Sequence, residues 1–205
     1  MNKDWANLAK YRSENLKIMN TTKSVVFMGD SITEFWKVHH KSFFTSNFFI
    51  NRGISGQTTP QMLERFQQDV IDLKPSIVVI LAGINDIAEN TGPRTTKEIM
   101  ETIILMVELA LVNKIKVILC TLLPSNHFYW NPKLKPADKV IALNKLILEY
   151  SQENKISLID YYSAMVDVEN GLEKKYGADG VHPNLEGYKV MENLISVKLN
   201  STEFL

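Results

Sequence analysis

Ile77-Val78-Val79-Ile80-Leu81-Ala82-Gly83-Ile84-Asn85-Asp86 is the most apolar run of the chain, and it ends in a polar pair. Its first five positions are apolar on both faces, as expected of a strand buried between two helix layers rather than one half-open to water. The stretch from Ile77 to Ile84 is far too short to span a bilayer, which takes about 20 residues. Upstream, Pro60 to Leu73 reads as a helix that opens with Pro after Thr59; downstream, Thr96 to Asn113 reads as another. The same alternation continues outward. Val25-Val26-Phe27-Met28, Phe48-Phe49-Ile50, Val117-Ile118-Leu119-Cys120 and Ile156-Ser157-Leu158-Ile159 read as further strands. Pro136 to Asn154 reads as a helix, and Asp4 to Ile18 and Leu185 to Lys198 as terminal ones. Short β-branched runs alternating with longer amphipathic ones predict an α/β fold, a five-stranded, doubly wound parallel sheet. No repeat, low-complexity tract or Gly/Ser-rich linker divides the chain, so residues 1–205 are expected to form a single domain.

Composition removes several function classes. Of 205 residues, 45% are hydrophobic and 22% charged, with 23 basic and 23 acidic side chains giving a formal net charge of 0. A neutral chain has no field to steer a nucleic acid and no polybasic surface for anionic lipid, so neither is expected as a partner. The one cysteine, Cys120, closes no intramolecular disulfide and leaves no cysteine-based metal cluster; it reads as an inert core residue. The N-terminal residues Met1 to Leu8 lack the apolar core of a signal peptide, which predicts a cytoplasmic protein as written, or a secreted or periplasmic one if a leader has been removed. A homo-oligomer is compatible with the composition.

Four motifs fall at ends of predicted strands, where ligands of open α/β sheets sit. In Gly29-Asp30-Ser31-Ile32-Thr33, Ser31 stands where a strand turns into a helix, with its hydroxyl exposed. Asn51-Arg52-Gly53-Ile54-Ser55-Gly56-Gln57-Thr58-Thr59 follows the second strand, and Gly56 offers a backbone N–H to a developing oxyanion. Gly83-Ile84-Asn85-Asp86 places the neutral carboxamide of Asn85 as a further donor. In Asp179-Gly180-Val181-His182-Pro183-Asn184, the carboxylate three residues before His182 can hold Nδ1–H and leave Nε2 free to act as a base. Each motif alone also reads as turn or capping chemistry. Together they supply a nucleophile, a base with its orienter, and oxyanion donors.

These four blocks, spread over residues 25 to 184, resemble those of the SGNH (GDSL) hydrolases, whose name-giving positions fall on Ser31, Gly56, Asn85 and His182. The spelling Gly-Asp-Ser-Ile-Thr, the following Trp36 and Leu122-Leu123-Pro124 look most similar to the acetylhydrolase branch, with its platelet-activating-factor acetylhydrolase-like proteins and bacterial carbohydrate acetylesterases. The resemblance implies a flavodoxin-like three-layer α/β/α sandwich. It also implies Ser31, Asp179 and His182 as catalytic residues, the N–H groups of Ser31 and Gly56 and the Asn85 amide as the oxyanion hole, and neither metal nor organic cofactor. No Gly-x-Ser-x-Gly elbow of the α/β-hydrolases occurs.

The irregular stretch from Leu122 to Lys135 carries His127, Phe128, Tyr129 and Trp130, aromatic groups beside polar ones that suit a sugar ring or an amphipathic alcohol. Asp30, Trp36, His127, Tyr129 and Trp130 are therefore candidate substrate contacts, although Asp30 and Asp86 also suit fixing their turns. The expected substrate is a small-molecule or carbohydrate ester with a short acyl group, acetyl first. Alternatives are a thioesterase or lysophospholipase with the same site, a catalytically silent carbohydrate-binding relative, or a flavin- or nucleotide-binding protein whose Gly29 to Thr33 turn cradles phosphate.

Overall fold

The computed structural model describes residues 4–18 and 24–201. Five parallel strands form one sheet in the order β2-β1-β3-β4-β5, with β1 Val25–Gly29, β2 Ile50–Gly53, β3 Ile77–Leu81, β4 Lys116–Cys120 and β5 Ser157–Ile159. This is the flavodoxin-like order, and its switch point lies between β1 and β3. Helices cover both faces. Helices α4 (Thr59–Asp69), α6 (Thr96–Val112) and α7 (Ala137–Asn154) pack side by side, and α2 (Ser31–His39) packs with α9 (Leu185–Leu199). The other α-helices are α1 (Ala9–Ile18), α3 (Lys41–Ser46), α5 (Ile84–Ile87) and α8 (Tyr161–Met165). β1 and β3 are buried along their whole length, which is why they read as unbroken apolar runs.

Two expectations about elements are corrected. α1 begins at Ala9 rather than Asp4, because the Asp4 carboxylate accepts the N–H groups of Leu8 and Ala9, at 2.6 and 3.0 Å, and so sets the start of the helix. The second strand is not Phe48-Phe49-Ile50 but Ile50-Asn51-Arg52-Gly53. Phe48 has a left-handed φ of 55° and is 84% exposed, so the two phenylalanines end a turn instead of starting the strand. The strand carries Asn51 and Arg52 into the interior because both are hydrogen bonded there. Asn51 Nδ2 donates to Thr33 O (2.6 Å); Arg52 donates through Nε to Asn15 Oδ1 (2.9 Å) and through Nη1 to Asn51 O (2.7 Å) and Glu14 Oε1 (3.1 Å). α1 thus covers this edge strand with polar partners.

At the centre of this network lies Arg65 of α4, with a side chain 0% exposed. It donates to Gln57 Oε1 (2.6 Å), Asp69 Oδ2 (3.0 Å), Gly29 O (3.0 Å) and Arg52 O (2.8 Å). One guanidinium therefore ties the ends of β1 and β2 to the loop that follows β2. Replacing Arg65 by Met leaves a buried Asp69 carboxylate and several carbonyls short of a donor, and is expected to cost about 3–5 kcal/mol in urea unfolding. The double replacement Arg65→Met with Asp69→Leu should recover part of that loss, since no buried charge is then left unpaired.

Trp36 belongs to the core. It is 2% exposed, stacks on Phe43 (5.1 Å between centroids) and Tyr188 (5.6 Å), and donates from Nε1 to Glu192 Oε1 at 2.9 Å. A substrate contact is ruled out for it by this burial. Cys120 is buried as well, and burial pushes its thiol up to about 12.

Candidate active site

The loops after β1, β2 and β3 and the loop before α9 meet at the switch point of the sheet, where ligands of open α/β sheets sit. Ser31 is the first residue of α2, so its own N–H is among those that a helix leaves without an intrahelical acceptor. The cap is Asp30, whose Oδ1 accepts the Ile32 N–H at 2.9 Å. One N–H of this helix end is thus taken by the chain's own carboxylate.

Ser31 Oγ lies 2.8 Å from His182 Nε2, and His182 Nδ1 lies 2.7 Å from Asp179 Oδ2. The residues come from opposite ends of the sequence and meet because α2 and α9 are neighbours. Asp179 is held by its own loop, its Oδ1 accepting the N–H groups of Val181 (2.9 Å) and His182 (2.7 Å). Burial acts to raise the Asp179 carboxyl, but the hydrogen bonds from His182 and Val181 prevail and leave it below its ordinary value. An ionised Asp179 fixes the imidazole with hydrogen on Nδ1, so that Nε2 faces Ser31 as an acceptor.

The two other loops are cross-linked around Gly56 and Asn85. Asn85 Nδ2 donates to Gln57 O at 3.1 Å, which uses one of its two N–H bonds. Asn90 Nδ2 donates to Gly56 O and to Asn85 Oδ1, both at 3.0 Å, and the Asp86 carboxylate accepts the Thr59 N–H (2.9 Å) and hydroxyl (2.8 Å). Gly56 has φ 77°, which is the reason for glycine there. A Cβ at this position would have open space around it, with Asn90 Nδ2 at 3.9 Å, so crowding is not the cause.

Of the aromatic loop, Trp130 comes nearest to the histidine, its ring centroid 6.5 Å from that of His182. It is 41% exposed and stacks on the buried Phe128 at 5.0 Å, while Tyr129 is 63% exposed and edges onto Trp130 at 4.7 Å. His127 lies over Gly180, between Asp179 and His182, with Nδ1 2.8 Å from Asn126 Oδ1. Phe35, which sequence reading missed, lies 5.4 Å from the His182 ring and is one helical turn beyond Ser31, a spacing legible only once α2 is assigned. Asn90, also missed, follows Asn85 by five residues in a turn with no motif of its own. Among the described residues, no group of three or more His, Cys, Asp and Glu side chains is arranged to hold a metal ion.

Asp30 is 1% exposed, so it makes no surface for a substrate and is corrected to a capping residue. Burial raises its carboxyl from 3.8 to about 6, against the lowering effects of the Ile32 N–H and of His182. A folded-state value above the unfolded one means that the folded protein binds the extra proton between about pH 4 and pH 6. This group's contribution to stability therefore declines as pH rises through that window. Asp30→Asn keeps an oxygen for the Ile32 N–H and abolishes the decline. The variant is expected to be as stable as the parent near pH 4 and more stable at pH 7, by a margin on the order of 2 kcal/mol, read from urea unfolding at the two pH values.

Residues 27–190 match the GDSL-like Lipase/Acylhydrolase family. The chain belongs to that family. A Bacteroides fragilis protein provisionally named an acylhydrolase is 51% identical, and the two structures superpose with a TM-score of 0.94 over 97% of this chain and 98% of the other. The uncharacterized lipoprotein YqeF of Bacillus subtilis is 30% identical over 140 residues, 60% of this chain; the match spans only 58% of that relative's length. The acetyl xylan esterase AlAXEase shares the fold at 21% identity, with a TM-score of 0.70 over 86% of this chain and 99% of its own. As a GDSL-like acylhydrolase, the protein is a carboxylic ester hydrolase. A flavin- or nucleotide-binding role gives way to that assignment.

Proposed function

We propose that the protein hydrolyses short-chain acyl esters, acetyl esters foremost, of a carbohydrate or another polar alcohol through an acyl-enzyme on Ser31. The observation that carries this reading is the hydrogen-bonded series Ser31 Oγ, His182 and Asp179, at 2.8 and 2.7 Å, at the switch point of the sheet. As Ser31 Oγ attacks the ester carbonyl, its proton passes to His182 Nε2 and the carbonyl oxygen becomes an oxyanion. The N–H groups of Ser31 and Gly56 and the second N–H of Asn85 receive that charge. Collapse expels the alcohol, which takes the proton from His182. Water then attacks the ester with His182 again as base, releasing the acid and free Ser31.

Support for a small acyl group comes from the buried residues that flank Ser31 in sequence or stand at or soon after the ends of β3 and β4: Asp30, Ile32, Leu81, Ala82, Ile84, Leu122 and Leu123 are each at most 5% exposed. Support for a ring-bearing alcohol comes from the exposed Trp130 beside His182, with Tyr129 edged onto Trp130 and His127 over Gly180, and from the acetyl xylan esterase among the structural relatives. Action outside the cytoplasm fits the lipoprotein relative; among the described residues, no helix is long and apolar enough to cross a membrane. On a series of 4-nitrophenyl esters, kcat/KM is expected to fall at least about tenfold between acetate and octanoate, as a site fitted to a small acyl group offers the longer chain no apolar contacts. A rising series would assign the enzyme to longer acyl chains and end the acetyl reading.

A further inference from the structure

The Ser55 N–H donates to Glu34 Oε2 at 2.6 Å, and the other oxygen of that carboxylate pairs with Lys10 of α1. Glu34 stands on α2 one turn after Ser31, and Ser55 immediately precedes Gly56. A single side chain therefore links the helix of the nucleophile to the loop of the oxyanion donor. The geometry points to Glu34 as a positioning residue for the Gly56 N–H, with Lys10 and Tyr11 of the N-terminal segment holding it in register; this rests on the serine reading above.

The N–H of Gly56 belongs to the peptide between Ser55 and Gly56. The peptide before it is fixed through the Ser55 N–H by Glu34, and the peptide after it is fixed through the Gly56 carbonyl by Asn90, at 3.0 Å. With both neighbouring planes anchored, the direction of the donor between them is set. Packing does not do this, because Ser55 is exposed and Gly56 only partly buried. The acceptor on the Ser55 side is a carboxylate, a stronger acceptor than an amide or hydroxyl oxygen. On the other side of Glu34, Tyr11 donates its hydroxyl to Gly53 O at 2.5 Å and lies beneath the Arg52 guanidinium at 4.5 Å, so α1 is fastened to the strand from which the loop departs. Gln57 Nε2 adds a hydrogen bond to Ala6 O at 2.7 Å. All of these N-terminal contacts come from residues before the span that matches the family, 27–190.

Lys10 and Glu34 keep about a quarter of their side-chain surface in water, 27% and 26%, so their pairing adds little to global stability. Function and folding can therefore be separated. The test compares Glu34→Ala, Glu34→Gln and Lys10→Met in the full chain on 4-nitrophenyl acetate. Glu34→Ala is expected to lower kcat about tenfold or more, with KM within about twofold and Tm near that of the parent, because displacement of a donor by about 1 Å can cost 100-fold. Labelling of Ser31 by a fluorophosphonate should slow in parallel. Glu34→Gln, whose side-chain carbonyl still accepts the Ser55 N–H, should recover most of the rate, and Lys10→Met should lose about threefold through a less constrained carboxylate. A parent-like kcat in Glu34→Ala, or Gln no better than Ala, overturns the proposal while the serine reading stands. Should Glu34→Ala fail to fold, the Lys10→Met comparison decides: an unchanged kcat overturns the tether. Unchanged hydrolysis by Ser31→Ala would overturn the serine reading and this proposal with it.

Discussion

Ser31→Ala is expected to reduce kcat/KM for 4-nitrophenyl acetate by at least about 10⁴-fold, because it removes the hydroxyl that would form the acyl-enzyme and that His182 Nε2 faces as a base. What remains should be the slow attack of water held near the oxyanion donors. The fold should be untouched. Ser31 Oγ hydrogen bonds to His182 and caps nothing, since the cap of α2 is Asp30; a Tm within a few degrees of the parent is expected. Loss of activity with retained Tm, measured on the same preparation, separates chemistry from unfolding.

Asp179→Asn should cost about 10⁴-fold in kcat while hardly changing the shape of the site. The carboxamide oxygen can still accept the N–H groups of Val181 and His182, as Asp179 Oδ1 does at 2.9 and 2.7 Å. The amide nitrogen then faces Nδ1, which must become an acceptor, and the ring proton moves to Nε2. A histidine protonated on Nε2 cannot take the proton of Ser31. The pH dependence carries a second signature. The folded Asp179 carboxyl lies below its ordinary value, so the stability it contributes is present above the unfolded value and is lost as pH falls through the folded one. That is opposite in sign to Asp30, whose contribution shrinks as pH rises. In the acid range, unfolding of Asp179→Asn should therefore depend less steeply on pH than unfolding of the parent.

The sheet could be read from the chain where burial is apolar, and could not where burial is polar. Ile77–Leu81 falls on its strand residue for residue because both faces meet hydrophobic helices. β2 was expected two residues too early for the opposite reason: Asn51 and Arg52 are carried inside by partners in distant segments, Thr33, Asn15 and Glu14, which no local pattern reveals. The expectation that Phe48 and Phe49 begin that strand follows hydrophobicity where backbone conformation prevails, since Phe48 takes φ 55°. At the candidate site, Ser31, Asp179 and His182 were legible because their chemistry demands particular residue types at short, fixed spacings, and the structure brings them within hydrogen-bonding distance. Trp36 and Asp30 were misplaced as substrate contacts because proximity in sequence to Ser31 does not tell which face of α2, or which side of its cap, a side chain occupies. The supporting residues Asn90, Phe35 and Glu34 were silent for a related reason. Each acts through the position of another loop or helix, and that position exists only in three dimensions.

The central claim is that Ser31 forms a covalent intermediate with His182 as its base. Incubation of the protein with a fluorophosphonate, followed by peptide mass spectrometry, tests it most directly. The account predicts one adduct, on the peptide containing Ser31, absent in Ser31→Ala and formed far more slowly in His182→Ala. An adduct on a different residue, or none on the folded and hydrolytically active parent, would contradict it.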